Sequence, residues 1–298
     1  MIELAACTDP AGRTFRAMRL AGDGRSGTVA NQVIAEEVLT LDVAEIGTYN
    51  LMWTPTRPLD GPVGYTPDDG VLADEPAPEP LALAAGFLLT EGLIDELSDI
   101  AEMAVCEQRL DVVRVRLANP AATNVRRRNV VMNSSCGVCG GGDQIAAQLA
   151  GRAPVSRRLR VAPSDLSRLG RALQQRQYVF RSTGGAHAAL VFGADLGVRA
   201  FAEDLGRHNA LDKVIGELLL RGETFSGCGV LVSSRLSYEM VAKSVRAGFE
   251  LIGAISAPTS LAIDIAERAG ITLCAFVRGE GAEVYSHPER IRSLVAVA

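Results

Sequence analysis

The chain has 298 residues, of which 48% are hydrophobic and 22% charged, a composition typical of a globular protein of one or two domains. Its net charge of −5 gives no general attraction to nucleic acid, and no apolar run reaches the ~20 residues of a membrane-spanning helix. The N-terminus lacks the basic start and apolar core of a secretory signal, so we expect a cytoplasmic protein with six reduced cysteines.

The first part of the chain predicts a flexible N-terminal arm followed by a small α+β domain. Residues 1–30 are glycine-rich and weakly patterned, which favours a loose arm, and the domain is expected over residues 31–130. Seven prolines between residues 54 and 80 predict a long loop inside that domain. The regular elements expected around this loop are a hairpin over 37–43 and 48–53, a helix over 81–91 and a strand over 111–117.

Strands and helices alternate after Gly142, which predicts a layered α/β domain with a mostly parallel sheet over residues 144–298. Ser164 is a plausible cap for the first helix of this domain, which is expected to end near Gln177. The predicted strands are 186–192 and 198–203, which form a hairpin across residues 193–197, and then 229–232, 251–255 and 272–277. The later predicted helices are 209–220, 237–247 and 260–269, which end at Gly222, Gly248 and Gly270 because glycine readily adopts the left-handed conformation of a helix end.

Between the two domains, Cys136 and Cys139 lie three positions apart in a glycine-rich segment, residues 131–143, that we expect to be a mobile loop. A structural zinc site needs four ligands, and no second close pair of Cys or His exists. A redox dithiol is expected at the start of a helix rather than among glycines. Persulfide transfer suits a loop that must visit both a donor and an acceptor. Spacing alone leaves the three chemistries in competition and favours the third.

Polar residues follow several predicted strands of the second domain. Ligands of α/β domains bind at the carboxyl ends of strands, and hydroxyls, backbone amides and guanidinium groups there suit an anion such as phosphate. No Walker or Gly-x-Gly-x-x-Gly fingerprint is present, so any nucleotide is bound by another device. The candidate binding residues are His187, Arg207, His208, Ser233, Ser234, Arg235, Phe276, Val277, Arg278, Gly279, Glu280 and Gly281.

These blocks, taken in order, resemble the formate dehydrogenase accessory sulfurtransferase family, FdhD. The resemblance runs from about Glu36 to Glu289. The motifs that carry it are Gly86-Phe87-Leu88-Leu89-Thr90-Glu91-Gly92, Cys136-Gly137-Val138-Cys139-Gly140, Thr183-Gly184-Gly185-Ala186-His187, Glu203-Asp204-Leu205-Gly206-Arg207-His208-Asn209-Ala210-Leu211-Asp212-Lys213 and Ser233-Ser234-Arg235-Leu236-Ser237-Tyr238-Glu239-Met240.

The resemblance implies a sulfurtransferase that takes sulfur from a cysteine desulfurase. It would pass the sulfur to the bis-guanine-dinucleotide molybdenum (or tungsten) cofactor before the cofactor enters formate dehydrogenase. Cys136 would carry the persulfide, Cys139 would assist its transfer or release, and residues 276–281 would contact the cofactor. The resemblance also implies a homodimer and a C-terminal domain like that of cytidine deaminases, with no permanent cofactor and no metal of its own.

Two features depart from the family pattern. The proline-rich segment 54–80 is long, and the cofactor stretch has Glu280 where a basic residue is expected; a carboxylate suits a guanine edge better than a phosphate. Two other functions stay open. A zinc-dependent nucleobase deaminase also uses a Cys-x-x-Cys pair, but its His-x-Glu motif is missing upstream. A non-catalytic chaperone that only holds the cofactor would need the binding loops and not the cysteines.

Overall fold

The computed structural model describes residues 9–59, 63–69, 76–122 and 155–292. The predicted loop 131–143, with Cys136 and Cys139, lies outside the described residues. Within them the chain forms a mixed α/β fold with three sheets. None of the described helices is long and apolar enough to cross a membrane.

Thirteen strands and six helices make up the described part of the chain. The strands are β1 (Gly12–Leu20), β2 (Ser26–Ile34), β3 (Glu37–Val43), β4 (Gly47–Trp53), β5 (Gly64–Tyr65), β6 (Ile100–Cys106), β7 (Arg109–Leu117), β8 (His187–Phe192), β9 (Val198–Asp204), β10 (Gly229–Val232), β11 (Leu251–Ala254), β12 (Thr272–Arg278) and β13 (Gly281–Ser286). The helices are α1 (Glu79–Glu91), α2 (Pro163–Arg176), α3 (Tyr178–Thr183), α4 (Arg207–Leu220), α5 (Tyr238–Ala247) and α6 (Ser260–Ala269).

The N-terminal segment differs from the loose arm expected over residues 1–30. Strands β1 and β2 pair antiparallel along their whole length, from Gly12 opposite Ile34 to Leu20 opposite Ser26. The base of this hairpin is fixed because Ala11 and Ile34 pack against Val179 and Ala186. The weak hydrophobic pattern of the segment reflects a ribbon that is exposed on both faces, not an absence of strands.

The N-terminal sheet has the order β4-β3-β7-β6-β5 and contains the predicted hairpin and the predicted strand 111–117. One face packs against α1, and the other carries polar pairs such as Arg116 and Glu102. In the proline-rich segment, the described residues form only the two-residue strand β5, a 3₁₀ turn at Pro67–Asp69 and the start of α1.

The C-terminal sheet has the order β13-β12-β11-β10-β8-β9. Strands β10, β11 and β12 are parallel, whereas β8, β9 and β13 join the sheet antiparallel to their neighbours. The predicted hairpin of β8 and β9 is confirmed. The expectation of a mostly parallel sheet is wrong, because β8 also pairs antiparallel with β10, and a short turn returns β13 antiparallel to β12.

Four of the five described helices of the second half match the prediction within two residues, with one change at a cap; α3 (Tyr178–Thr183) was not predicted. Helix α2 begins at Pro163, and Ala162 lies at the cap position that was expected for Ser164. The Asp165 side chain accepts a hydrogen bond from the Ala162 backbone N–H at 3.1 Å, so Asp165 satisfies a group at the helix start instead. Helix α2 covers one face of the C-terminal sheet, and α4 covers the other.

The two predicted domains, 31–130 and 144–298, share one hydrophobic core. Helix α1 packs directly against α4 and α5, and one buried cluster includes side chains from both halves. The helices α1 and α4 approach closely at two glycines: a Cβ atom at Gly86 would overlap the Asp212 carbonyl oxygen, and one at Gly216 would overlap the Ala82 carbonyl oxygen. The two sheets therefore lie on either side of a shared helical layer.

Candidate functional site

The strand directions bring the predicted binding loops to one end of the C-terminal sheet. Strands β10, β11 and β12 are parallel, so the loops that follow them leave at the same end. Strand β8 is antiparallel to β10 and therefore begins there, and β9 ends there. We call this the site end of the sheet. It collects His187, Arg207, His208, Ser233, Ser234, Arg235 and residues 276–281.

Hydrogen bonds tie neighbouring loops of the site end together. Ser233 exchanges two bonds with Ala188, one from the Ala188 N–H to the Ser233 Oγ and one from the Ser233 N–H to the Ala188 carbonyl, each 2.9 Å long. The loop after β10 also pairs with the loop after β11, since Leu236 forms a parallel bridge with Pro258. Ser233 is therefore fixed beside the start of β8, whereas the Arg235 side chain is exposed.

Two histidines lie at the centre of the site end. His187 is half-buried and lies opposite Asp204 in the β8–β9 register. Burial, and after it the Arg207 guanidinium, lower the pKa of His187, so its imidazole is neutral at pH 7. His208, in the first turn of α4, places its Nε2 3.1 Å from a carboxylate oxygen of Glu239 in the first turn of α5. The contact with His208 lowers the pKa of Glu239.

Besides His208 Nε2, whose partner is the Glu239 carboxylate, two buried polar atoms in the described part of the chain have no hydrogen-bond partner. They are Ser237 Oγ and the Tyr238 hydroxyl, next to each other at the start of α5. Tyr238 is 7% exposed, so its hydroxyl cannot be satisfied by bulk water. Buried polar groups are normally paired, and unpaired ones concentrate where a ligand or an ordered water completes the site.

Sequence reasoning did not include Ser237, Tyr238 or Glu239 among the binding residues. The sequence leaves open whether the hydroxyls of residues 233–239 hold an anion or Ser237 only caps the helix, and Ser237 lies at the cap position of α5 without a side-chain capping bond. The signal that could have found these residues is their position directly after the Ser233–Arg235 loop. What the sequence could not supply is the meeting of α5 with the start of α4.

Lys213 and Asp204 support the loop that carries Arg207 and His208. Asp204 accepts hydrogen bonds from the Gly206 N–H at 2.8 Å and from the Asn209 side-chain amide at 3.1 Å. The fully buried Lys213 ammonium lies 2.8 Å from Asp204 and 2.7 Å from Glu79. Burial works to lower the pKa of Lys213, but the two carboxylates outweigh it and raise the pKa above its ordinary value. The turn before α4 is thus held in place by the ion pairs of Lys213 with Glu79 on α1 and Asp204 on β9.

A second buried ion pair joins α1 to α4 and α5. The Lys243 ammonium donates to Asp212 at 2.7 Å and to the Thr90 hydroxyl at 2.8 Å, and it lies 3.1 Å from Glu91. Asp212 and Lys213 are both buried. These residues belong to the framework behind the site.

The stretch 276–281 divides into inward and outward residues. Val277 is buried, whereas Arg278, Gly279 and Glu280 form an exposed turn between β12 and β13. Phe276 has a left-handed backbone with φ of 52°, and the Arg278 guanidinium lies 5.4 Å from the centre of its ring. Such a backbone is uncommon for a bulky residue and concentrates at functional sites. Glu280 is free to face solvent or a ligand.

The opposite end of the C-terminal sheet carries a saturated buried carboxylate. Glu250, just before β11, accepts hydrogen bonds from the Ser156 hydroxyl and from the backbone N–H groups of Arg158, Leu159 and Gly227. Its second oxygen also lies 3.4 Å from Arg290 Nε. We call this the anchor end. It holds the segment 156–159, near the start of the described residues 155–292.

Burial works to raise the pKa of Glu250, but the hydrogen bonds from Ser156 and the three backbone N–H groups outweigh it and lower the pKa. An ionised carboxylate with this many donors is a structural anchor. It leaves no free acceptor for a ligand, in contrast to the unpaired atoms at the site end.

The fold and the site end define a mixed α/β protein with ligand-type loops at one end of its larger sheet. The model of the FdhD/NarQ family matches residues 76–292, so the chain belongs to that family. A protein of Xanthomonas euvesicatoria named sulfur carrier protein FdhD is 39% identical over 290 residues, which cover 96% of this chain and 95% of the relative. A protein of the same name from Sulfurisphaera tokodaii is 41% identical over 210 residues, which cover 70% of this chain and 79% of the relative.

A solved structure supports the fold. The crystal structure of a Desulfotalea psychrophila protein, titled as a formate dehydrogenase accessory protein, superimposes with a TM-score of 0.71. The match covers 95% of this chain and all of the other, at 22% sequence identity. The family and the α/β fold expected from the sequence are confirmed. The likeness to cytidine deaminases stays a prediction.

Proposed function

We propose that this protein is a cytoplasmic sulfur carrier in the maturation of formate dehydrogenase. Cys136 accepts sulfur from a cysteine desulfurase as a persulfide, and Cys139 assists its transfer or release. The acceptor is the bis-guanine-dinucleotide molybdenum cofactor, before its insertion into the enzyme. The observation that carries the proposal is the 39% identity, over nearly the whole chain, to a relative named sulfur carrier protein.

The site end supports the proposed acceptor. A guanine dinucleotide carries phosphates and hydrogen-bonding base edges, and it needs cationic groups, hydroxyls and backbone amides. Arg207, Arg278 and Ser233 supply such groups at the site end, which also carries the unpaired hydroxyls of Ser237 and Tyr238. Phosphates would be held by the arginines and the loop amides, and the exposed Glu280 could accept hydrogen bonds from a guanine edge.

The test is a persulfide assay. The purified chain is incubated with a cysteine desulfurase and cysteine, and its thiols are then alkylated. The mass of the peptide that contains Cys136 is measured by mass spectrometry. We expect one extra sulfur on Cys136 in the wild type and none in Cys136→Ala. We also expect Cys136→Ala to abolish formate dehydrogenase maturation while it keeps cofactor binding.

Cys274→Ala is the matched control. Burial raises the pKa of Cys274 to about 12, so this thiol stays protonated and should accept no sulfur. A wild-type protein without the extra sulfur, beside an active desulfurase, would favour a chaperone that only holds the cofactor. Stoichiometric zinc lost on substitution of Cys136 and Cys139 would favour the deaminase alternative.

A further inference from the structure

The two nitrogens of the His208 ring have different surroundings. Nε2 lies 3.1 Å from a carboxylate oxygen of Glu239, and the hydrogen bond between them, together with the charges of Arg207 and Lys243, lowers the pKa of Glu239. Glu239 is therefore ionised at pH 7. Because an ionised carboxylate only accepts hydrogen bonds, this contact requires the ring proton on Nε2. The neutral ring then has a free electron pair on Nδ1.

The electron pair on Nδ1 is available to a bound molecule. Nδ1 has no hydrogen-bond partner among the described residues and, unlike Nε2, it reaches the solvent. The side chain of His208 is only 14% exposed, and Asp204 holds the turn before it, so the orientation of the ring is fixed. An imidazole that a carboxylate orients through one nitrogen, and that is open at the other, has the arrangement of a general base.

The second histidine of the site end is in a different electrostatic environment. Burial, followed by the charges of Arg207 and His208, lowers the pKa of His187, although Asp204 acts in the opposite direction. A proton is therefore disfavoured on His187, whereas on His208 it would face the Glu239 carboxylate. Neighbouring titratable groups with such different environments are typical of sites that exchange protons.

The geometry of His208 does not suit a residue that holds an anion. An anion-binding side chain must offer a hydrogen-bond donor, and the Nε2–H of His208 is directed at Glu239. A phosphate near that nitrogen would also be repelled by the carboxylate. The open nitrogen, Nδ1, accepts a proton rather than donating one. His208 is therefore better suited to proton transfer than to binding phosphate.

We propose that His208 is the acid–base residue of sulfur transfer at the site end, and that Glu239 is the residue that positions its ring. This role rests on the proposed function, which requires a carrier persulfide to meet its acceptor at this end of the sheet. The role goes beyond the proposed function because it assigns the proton of the reaction to one side chain.

The step in question passes the outer sulfur of the persulfide to an acceptor that has a free electron pair. That pair forms the bond to the outer sulfur, the S–S bond breaks, and the electrons of the S–S bond leave with the inner sulfur. The acceptor is thus oxidised by two electrons, and the carrier cysteine is reduced to a thiolate. The proton of the outer sulfur passes to His208 Nδ1 and from there to the thiolate, which restores a thiol and a neutral imidazole.

The test measures sulfur transfer from the loaded protein to cyanide, a small acceptor with a free electron pair that becomes thiocyanate. Mass spectrometry confirms the loading first, so that only protein with the persulfide is compared. His208→Asn should slow the transfer about 100-fold and remove the histidine contribution to its pH dependence between about pH 5 and 8. A rate and a pH profile equal to those of the wild type would overturn the proposal.

His287→Asn is the matched control. His287 lies at the opposite end of the sheet, where its Nε2 is 2.8 Å from the Glu267 carbonyl oxygen. Its backbone is left-handed with φ of 47°, a conformation that Asn tolerates. His287→Asn should transfer sulfur at the wild-type rate. The same 100-fold loss in His287→Asn would contradict a specific role of His208.

Two further comparisons separate proton transfer from support of the fold. His208→Ala should regain part of its transfer rate when free imidazole is added, because a small base can occupy the space of the missing ring. Glu239→Ala should lose more of the rate than Glu239→Gln, because the amide oxygen of Gln can still accept from Nε2–H. Absence of rescue by imidazole, with a folded His208→Ala, would contradict the proposal.

A measurement without any substitution covers the case in which the variants do not fold. Nitrogen NMR of the wild-type protein with isotope-labelled histidine should show the neutral His208 ring with its proton on Nε2, and a proton on Nδ1 would overturn the proposal. The loading step keeps the two hypotheses apart. A wild type that takes up no sulfur, beside an active desulfurase, would overturn the proposed function and this role together. Loaded protein with an unchanged rate in His208→Asn would overturn this role alone.

Discussion

The two ends of the C-terminal sheet treat buried polar groups in opposite ways. At the anchor end, Glu250 is fully buried, and both of its carboxylate oxygens accept hydrogen bonds or contact a cation. The partners lie in the segment 156–159, at Gly227 and at Arg290. At the site end, Ser237 Oγ and the Tyr238 hydroxyl are buried without a hydrogen-bond partner among the described residues. Within the described residues, the same sheet therefore has one end with a fully hydrogen-bonded buried carboxylate and one end with two unpaired buried hydroxyls.

The difference teaches how to separate structural from functional polar groups in one fold. A saturated buried carboxylate stabilises the native state, and its loss should be measured as lost stability. An unsaturated buried hydroxyl costs stability, and it is retained where a ligand uses it. Substitutions at the two ends should therefore affect different measurements.

The largest effect is expected at the anchor end. Glu250→Ala leaves Arg290 and three backbone N–H groups buried without their acceptor, and breaking a buried pair of this kind costs about 3–5 kcal/mol. Chemical denaturation followed by circular dichroism should show this loss. Glu280→Ala, at the exposed turn of the site end, should stay within about 0.5 kcal/mol of the wild type. An equal loss of stability in Glu250→Ala and Glu280→Ala would contradict the proposed difference between the two ends.

A smaller effect is expected in the pH dependence of Glu250→Gln. The pKa of Glu250 is lower in the folded protein than in the unfolded chain, where it is about 4.3. Its ionised form therefore contributes stability that is fully present above the unfolded pKa and is lost as the pH falls through the folded pKa. The variant should be about 2 kcal/mol less stable than the wild type at pH 7, because its bonds lose their charge. That gap should narrow below pH 4.

Unfolding curves of the wild type and Glu250→Gln between pH 7 and pH 3 test this. A gap that stays constant across the range would mean that the carboxylate charge at the anchor end adds nothing to stability.

The smallest stability effects distinguish two tyrosines. The Tyr178 hydroxyl donates to the Thr56 carbonyl at 2.9 Å, so Tyr178→Phe should cost about 1 kcal/mol. Tyr238→Phe removes an unpaired buried hydroxyl and should be neutral or slightly stabilising. If the site end binds the cofactor, Tyr238→Phe should still weaken cofactor binding, and Tyr178→Phe should not. A clear stability loss in Tyr238→Phe would show that its hydroxyl has a partner within the chain.

Much of the C-terminal half could be predicted from the sequence because its elements are short, apolar and closed by glycines. Strand 229–232 and helix 260–269 match their predicted bounds, and the Gly248 and Gly270 ends were found from the need for a left-handed residue. The meeting of His187, Arg207 and Ser233 at one end of the sheet follows from the same strand order.

The missed features depend on contacts between distant parts of the chain. The β1–β2 hairpin has no buried face to give a period-two pattern, and the antiparallel pairing of β8 with β10 and of β13 with β12 depends on contacts between strands rather than on composition. Nothing in the sequence distinguishes Glu250 from a surface glutamate, because its hydrogen-bond donors, Ser156 and Gly227, come from distant parts of the chain. The roles of Cys136 and Cys139 rest on the sequence and stay predictions.

The close crossing of α1 and α4 at Gly86 and Gly216 has a consequence for how the protein can be produced in pieces. Neither half can cover its own share of the common core, so a fragment ending before residue 123 or one starting after residue 154 would expose a large apolar surface when alone. When the two fragments are expressed together, they should associate through that apolar surface. The chain is thus suited to division into a complementing pair whose reassembly reports on their encounter.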